Sequence, residues 1–300
     1  GPSGVGKTLM AELLAESWFG SRAAFTKIDC ANFAQSHSTE ELIGSPPGYV
    51  GFGQESKFSQ NNIDKPYFKS LKEYRDIEKE IQETLDKLFK LQEELGFNRN
   101  LSKGEKEVMR REFTELEKKL DYLNFRKNLL YSSKSGALSI ILLDEIEKAD
   151  SALYNLILGI TDKAELRLRN GAITKFNYSV IFMTSNIGSK AIADLISDKK
   201  IGFKTATGAE KTGLDYKIYE SAATAARSHF SPEFLGRIDK LIVFRPLSEE
   251  VMREIVALEI ENFQKEVTPY LKIIISVTEE VKDFILQECL DKPQEGARLI

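Results

Sequence analysis

The feature that most constrains this chain is its first eight residues, GPSGVGKT, Gly1 to Thr8. They fill every fixed position of G-x-x-x-x-G-K-[ST], and a helical apolar pattern, LMAELLAESWF, follows at once. Glycines let backbone amides curl around a β-phosphate, and the N-terminus of the following helix adds partial positive charge. Gly1, Pro2, Ser3, Gly4, Val5 and Gly6 would form this cradle. Lys7 would reach the β- and γ-phosphates, and the Thr8 hydroxyl would hold Mg²⁺. A Gly-rich turn that merely caps a helix would not need all of these positions at once.

A phosphate loop becomes a hydrolase only with acids beside it. LSIILLDEIEKAD, residues 138 to 150, supplies them: a continuous apolar run of the kind that makes a strand buried on both faces, ending in two carboxylates. Asp144 would complete the magnesium shell, and Glu145 would orient and activate the attacking water. A third element, VIFMTSNIGS, runs apolar from Val180 to Met183 and ends in Thr184, Ser185 and Asn186. Ligands of open α/β sheets bind at the carboxyl ends of the strands, so Asn186 would help hold the lytic water. On its own that asparagine could equally cap a helix. Together the three elements predict an α/β nucleotide-binding fold, a parallel sheet flanked by helices.

Composition narrows the partners. The net charge is −4, whereas a chain that clings to nucleic acid or anionic lipid usually carries a basic surplus. No apolar run approaches the roughly 18 to 20 residues that span a bilayer, so no membrane role is expected. Cys30 and Cys289 lie far apart and form no disulfide framework, which points to a reducing cytoplasm. His37 and His229 have no companions at metal-ligand spacing. The opening directly on the phosphate loop and the stop at EGARLI lead us to expect a piece of a longer protein.

Six motifs occur in fixed order: GPSGVGKT, LIGSPPGYVGFG, ILLDEIEKAD, MTSNIGS, SPEFLGRIDKLIVFRPLS and EGAR. In this the chain resembles the second AAA+ module of the Clp ATPases, the ring-forming protein unfoldases, over nearly its whole length except residues 70 to about 133. The resemblance implies an AAA+ P-loop fold with a large α/β part, residues 1–244, and the start of a small α-rich lid, residues 245–300. It implies ATP with Mg²⁺ as cofactors and a homo-oligomer, a hexameric ring. Arg237 matches the arginine finger that reaches a neighbouring subunit's γ-phosphate, and Gly236 stands where the family usually has asparagine. Arg298 matches the second sensor on the lid, which links nucleotide state to lid angle. Gly48, Tyr49, Val50 and Gly51 match the loop lining the central pore, where an aromatic face grips unfolded polypeptide of any sequence.

Residues 70–133 fall outside the resemblance. Leu71, Tyr74, Ile81, Leu85, Leu88 and Leu95 recur at three- and four-residue steps interrupted by Glu78 and Gln92. Met109, Phe113, Leu116, Leu120, Leu123 and Leu130 repeat the rhythm, interrupted by Lys127. GFNRNLSKG breaks the pattern between them. The spacing predicts an inserted antiparallel helical hairpin, about 35 to 40 Å long at 1.5 Å per residue, leaving the domain away from the phosphates. It could dock a partner, brace a neighbouring subunit, regulate the ring or be a tolerated insertion.

One last stretch, LISDKKIGFKTATGAEKTG, sets Ile201, Gly202 and Phe203 in a polar loop where a soluble chain gains nothing from apolar exposure. Peptidase-partnered Clp ATPases carry a similar apolar-Gly-apolar loop. The resemblance therefore implies an ATP-driven unfoldase that threads misfolded or unfolded polypeptide and delivers it to a Clp peptidase. The alternatives are a stand-alone disaggregase and, less favoured by the acidic composition, a nucleic-acid motor. An inactive scaffold would be expected to have lost Lys7, Glu145 or Arg237.

Overall fold

The computed structural model describes residues 1–45, 48–49, 54–97, 103–133, 137–197, 208–271, 275–291 and 296–300. In chain order the elements are α1 (Lys7–Phe19), β1 (Thr26–Asp29), α2 (Glu40–Ile43), α3 (Gln60–Ser70), α4 (Lys72–Phe97), α5 (Lys103–Ser133) and β2 (Ser139–Asp144). There follow α6 (Ser151–Lys163), β3 (Glu165–Arg167), β4 (Ile173–Lys175), β5 (Ser179–Met183), α7 (Ser189–Ser197), α8 (Gly208–His229), α9 (Pro232–Gly236), α10 (Glu249–Leu271) and α11 (Glu279–Asp291).

Three parallel strands form the central sheet in the order β1-β2-β5, with Ile28 opposite Leu143 and Leu143 opposite Met183. The uninterrupted apolar run of β2 follows from its place between two helical layers. Ile141 and Leu143 point into the main core with Phe33, Leu153, Ile157 and Ile160 on the α6 side. Ile140 points the other way, onto Ala15 and Phe19 of α1, with Tyr67 of α3 beside them. Ala11 and Ala15, four residues apart on α1, keep the helix close against this face. The strands run alongside one another, so their carboxyl ends, Asp29, Asp144 and Met183, gather at one edge. β3 and β4 make a separate antiparallel ribbon beside α6.

The expected hairpin is present as α4 and α5, of 26 and 31 residues, so the arms are about 39 and 46 Å long at 1.5 Å per residue. Its seam on α4 differs from the expected one between the fixed rungs Tyr74, Ile81, Leu88 and Leu95. The inward positions there are Ile77, Thr84 and Leu91, each one residue before Glu78, Leu85 and Gln92. At 3.6 residues per turn both the third and the fourth residue after a rung lie near the stripe, so either could have been buried. Ile77 and Leu91 are apolar where Glu78 and Gln92 are not, and they set the phase for the whole helix. Leu85 is left exposed as a result, and Thr84 is carried inward, its hydroxyl donating to the Glu80 carbonyl. Two of the three polar interruptions pair with each other: Lys127 of α5 meets Glu78 of α4 at 3.0 Å and lies 5.0 Å from the centre of the Tyr74 ring. Burial works against the Glu78 charge, but hydrogen bonds from Lys127 and Tyr74 outweigh it and hold its pKa below the usual range. At the base of the arm, Phe68, Tyr74 and Ala137 form a small core of their own.

Among the described residues, no helix is long and apolar enough to cross a membrane. At the far end of the chain α10 and α11 pack through Met252, Leu286 and Cys289.

Candidate functional site

A pocket of about 510 Å³ opens at the carboxyl edge of the sheet, lined by Gly4, Lys7, Thr8, Asp144, Glu145, Asn186 and Arg298 among others. Its floor is the loop preceding α1. Gly4 and Gly6 both take the left-handed conformation, with φ of +66° and +90°, which favours residues without a Cβ. Gly6 sits at the helix N-cap without a side chain to cap it, so the first amides of α1 stay open to the pocket.

Lys7 is folded back onto its own loop. Its ammonium donates to the carbonyls of Gly1 at 2.9 Å and Pro2, and to Asn186 Oδ1 at 2.7 Å. Burial lowers its pKa, with Arg298 adding to the effect, while Glu147, Asp144 and Glu145 oppose it. Thr8 Oγ1 donates to Asp144 at 3.3 Å. Asp144 also accepts from Thr184 Oγ1 and pairs with Lys27 at 3.2 Å. Burial alone would raise the Asp144 pKa; hydrogen bonds from Thr184, Lys27 and Thr8 overcome it and hold the carboxyl below its ordinary value.

Glu145 stands just beyond β2 with φ +56°, the left-handed region that costs a non-glycine residue roughly 1 kcal/mol or more. The turn is held by its own N–H, which donates to Thr184 Oγ1 at 3.0 Å. The Glu145 carboxylate accepts from Asn186 Nδ2 at 3.1 Å on one oxygen and pairs with Lys148 on the other. Asn186 thus bridges two other residues expected at the site, Lys7 through its carbonyl and Glu145 through its amide. From the far end of the chain, the Ala297 N–H donates to the Gly4 carbonyl at 3.0 Å and brings Arg298 to the pocket rim.

Arg237 is not part of this wall. It follows α9, whose start is capped by Ser231 on the Phe234 N–H at 3.2 Å, and it pairs with Asp162 at the end of α6, partly exposed. Gly236 has no positive φ, and an added Cβ there would meet nothing within 4 Å, so its backbone does not require glycine. Tyr49 is 68% exposed, beside Gly48 at φ +89°. Val50, Gly51 and the Ile201-Gly202-Phe203 tripeptide lie outside the described residues.

Three residues of this site were not singled out from sequence. Lys27 reaches Asp144 from the neighbouring strand, Thr184 ties Asp144 to Glu145, and Glu147 accepts the Asn186 N–H at 2.9 Å. Only Thr184 had a signal, a polar residue ending an apolar run; the other two depend on strand register and on a turn no pattern announces.

A phosphate loop leading into a helix, set at the carboxyl edge of a parallel sheet next to an acidic strand end, defines a P-loop nucleotide-binding protein. The profile described as "AAA domain (Cdc48 subfamily)" matches residues 1–94 and 90–241, and "C-terminal, D2-small domain, of ClpB protein" matches 247–300. The chain belongs to this AAA family. The ATP-dependent Clp protease ATP-binding subunit ClpC of Staphylococcus aureus strain USA300 is 29% identical over 299 residues, covering 99% of this chain and 27% of that protein. The ClpC of Staphylococcus saprophyticus is likewise 29% identical over 299 residues. The chain therefore spans about a quarter of the length of these relatives. Among solved structures it is similar to a closed-state reconstruction of Hsp104 with ATPγS and FITC-casein, with TM-score 0.60, 21% identity, and coverage of 99% of this chain and 37% of that one. The S. cerevisiae Hsp104:casein complex in its extended conformation gives 0.59, 20%, 100% and 37%.

Proposed function

We propose that this chain is the ATP-hydrolysing unit of a ring-forming protein unfoldase. The observation that carries the reading is the convergence of Lys7, Thr8, Asp144, Glu145, Asn186 and Arg298 on one pocket at the carboxyl edge of the sheet. In this reading the body, residues 1–244, binds nucleotide; the hairpin, 70–133, projects from it; and 245–300 begins the lid that carries Arg298. The phosphate loop cradles the β-phosphate, and Lys7 exchanges the Gly1 and Pro2 carbonyls for phosphate oxygens. Asn186 and Glu145, already hydrogen-bonded to one another, place and deprotonate the attacking water.

Thr8 and Asp144 fit Mg²⁺: both offer hard oxygen donors, they are neighbours at 3.3 Å, and the Asp144 carboxylate already holds a cation, Lys27. Bound there, the ion would neutralise charge on the β- and γ-phosphates. Arg237 lies away from its own pocket with a carboxylate partner, as suits a group that acts on a neighbouring subunit in a hexameric ring. Tyr49 is exposed enough to meet a threaded polypeptide, with Gly48, Val50 and Gly51 as its loop. We assign Ile201, Gly202 and Phe203 to docking a Clp peptidase, and the buried free thiols Cys30 and Cys289 suit a cytoplasmic protein.

The test is ATP-dependent degradation of a tagged, stably folded substrate by the full-length protein, with and without Clp peptidase. Degradation only with the peptidase, abolished by Phe203→Ala while ATPase persists, is expected. Reactivation of aggregates without any degradation would replace the peptidase reading with a stand-alone disaggregase.

A further inference from the structure

The ladder between β2 and β5 ends at Leu143 and Met183, yet the two segments stay joined beyond it. The Thr184 N–H donates to the Leu143 carbonyl and the Ile146 N–H to the Thr184 carbonyl, both at 3.0 Å. Past Thr184 the amide of Asn186 takes a side chain as its acceptor instead: Glu147 Oε1 at 2.9 Å. Glu147 arrives there because the left-handed turn at Glu145 starts a short helical turn, Ile146–Lys148, that sends Lys148 outward to Glu145 and Glu147 inward. Its other oxygen, Oε2, is buried and has no hydrogen-bond partner among the described residues. Such an atom is costly, so a neutral or shorter residue would serve mere packing better.

We propose that Glu147 is a positioning residue for hydrolysis: its carboxylate fixes the Asn186 backbone, and through Asn186 sets the Glu145 carboxylate. The inference rests on the reading of Asn186 and Glu145 as the water-handling pair. The tether is needed once phosphates draw Lys7 away. Asn186 Oδ1 then loses its 2.7 Å donor, and the residue is held by the Glu145 bond on its side chain, the Glu147 tether on its N–H and the Ser189 N–H on its carbonyl at 3.2 Å. Removing the tether leaves the Asn186 N–H without its acceptor and loosens the backbone on that side, so the side chain can follow Lys7 and Glu145 loses the amide that orients it. Nucleotide binding uses the loop and Lys7, which Glu147 reaches only through its charge; E147M and E147Q remove that charge alike, so the difference between them reports the tether.

The experiment measures ATPase kinetics, ATP-analogue binding, assembly and melting of the full-length protein with E147M, E147Q, N186A and the N186A/E147M double variant. Met fills the same space without an acceptor, whereas Gln keeps one. E147M should lose roughly 10- to 100-fold in kcat with KM and analogue affinity nearly unchanged, the range typical of removing a supporting hydrogen bond. E147Q should retain kcat within about threefold, and E147M should add little to N186A because both act through one residue. If N186A hydrolyses ATP normally, the reading of Asn186 falls and the proposal with it. If N186A is impaired while E147M is not, the proposal alone falls. Equal losses in E147M and E147Q, or a kcat loss in E147M matched by a lower melting temperature, would likewise overturn it.

Discussion

At Gly296 the backbone turns with φ +58°, and a Cβ added there would stand 2.7 Å from the Ser3 carbonyl oxygen and 2.8 Å from that of Gly4. The conformation disfavours a side chain, and the lack of space excludes one. The contact matters because the next amide, Ala297, is the one that bonds Gly4, and Arg298 reaches the pocket from there. Gly296→Ala should push the 296–300 turn off the phosphate loop, since backbone carbonyls cannot yield as a flexible side chain would. We expect ATP affinity to fall by roughly tenfold, about 1.4 kcal/mol, with the melting temperature of the body nearly unchanged. Titration with a fluorescent ATP analogue checks it; wild-type affinity would mean that Arg298 takes no part in binding. The sequence marked EGAR as a motif, but the reason for its glycine lies in a contact with the other end of the chain and has no local signature.

The same division between local pattern and distant contact governs the elements. Periodicity located both arms of the hairpin, because a helix that buries one stripe writes that stripe into its sequence. It could not say that two of its interruptions are partners: Glu78 and Lys127 come together only through the antiparallel register of α4 and α5. The pair is partly solvated, so its worth is modest, about 0.5 to 1 kcal/mol. Lys127→Met should lower stability by that amount at neutral pH. The sign of the pH dependence follows from Glu78, whose folded pKa lies below the ordinary value of 4.5. A carboxylate so depressed contributes stability that is present above pH 4.5 and lost as pH falls through its folded value. The difference between wild type and Lys127→Met should therefore shrink in acid. Denaturant melts at neutral pH and again well below the ordinary Glu pKa measure it; a gap that stays constant would assign the loss to the Lys127 ammonium over the Tyr74 ring.

For the molecule as a whole, the topology separates what the site needs from what the arm adds. The phosphate loop, Asp144, Glu145 and Asn186 were legible because each is a short pattern fixed to the end of one strand or the start of one helix. Lys27 and Glu147 were not, because strand order and a left-handed turn bring them in. The arm enters at the amino end of β2, and five residue steps of about 3.3 Å separate Ser139 from Asp144, so its base lies about 17 Å from the acidic end of that strand. Its attachment is the small core of Phe68, Tyr74 and Ala137, closed by the Glu78–Lys127 pair. Beyond that rung α4 and α5 pack on each other. Excising residues 82–119 and joining the ends with a short Gly-Ser linker keeps Tyr74, Glu78, Leu123 and Lys127 in place. Loop-closure costs grow only slowly with length, so the shortened turn should close without strain on β2. Groups this far apart act independently, so ATP affinity should stay within about twofold and the melting temperature of the body within a few degrees, measured by analogue titration and calorimetry. A loss of nucleotide affinity would instead mean that the arm is mechanically coupled through β2 to Asp144, and that this insertion reports on, or sets, the state of the site.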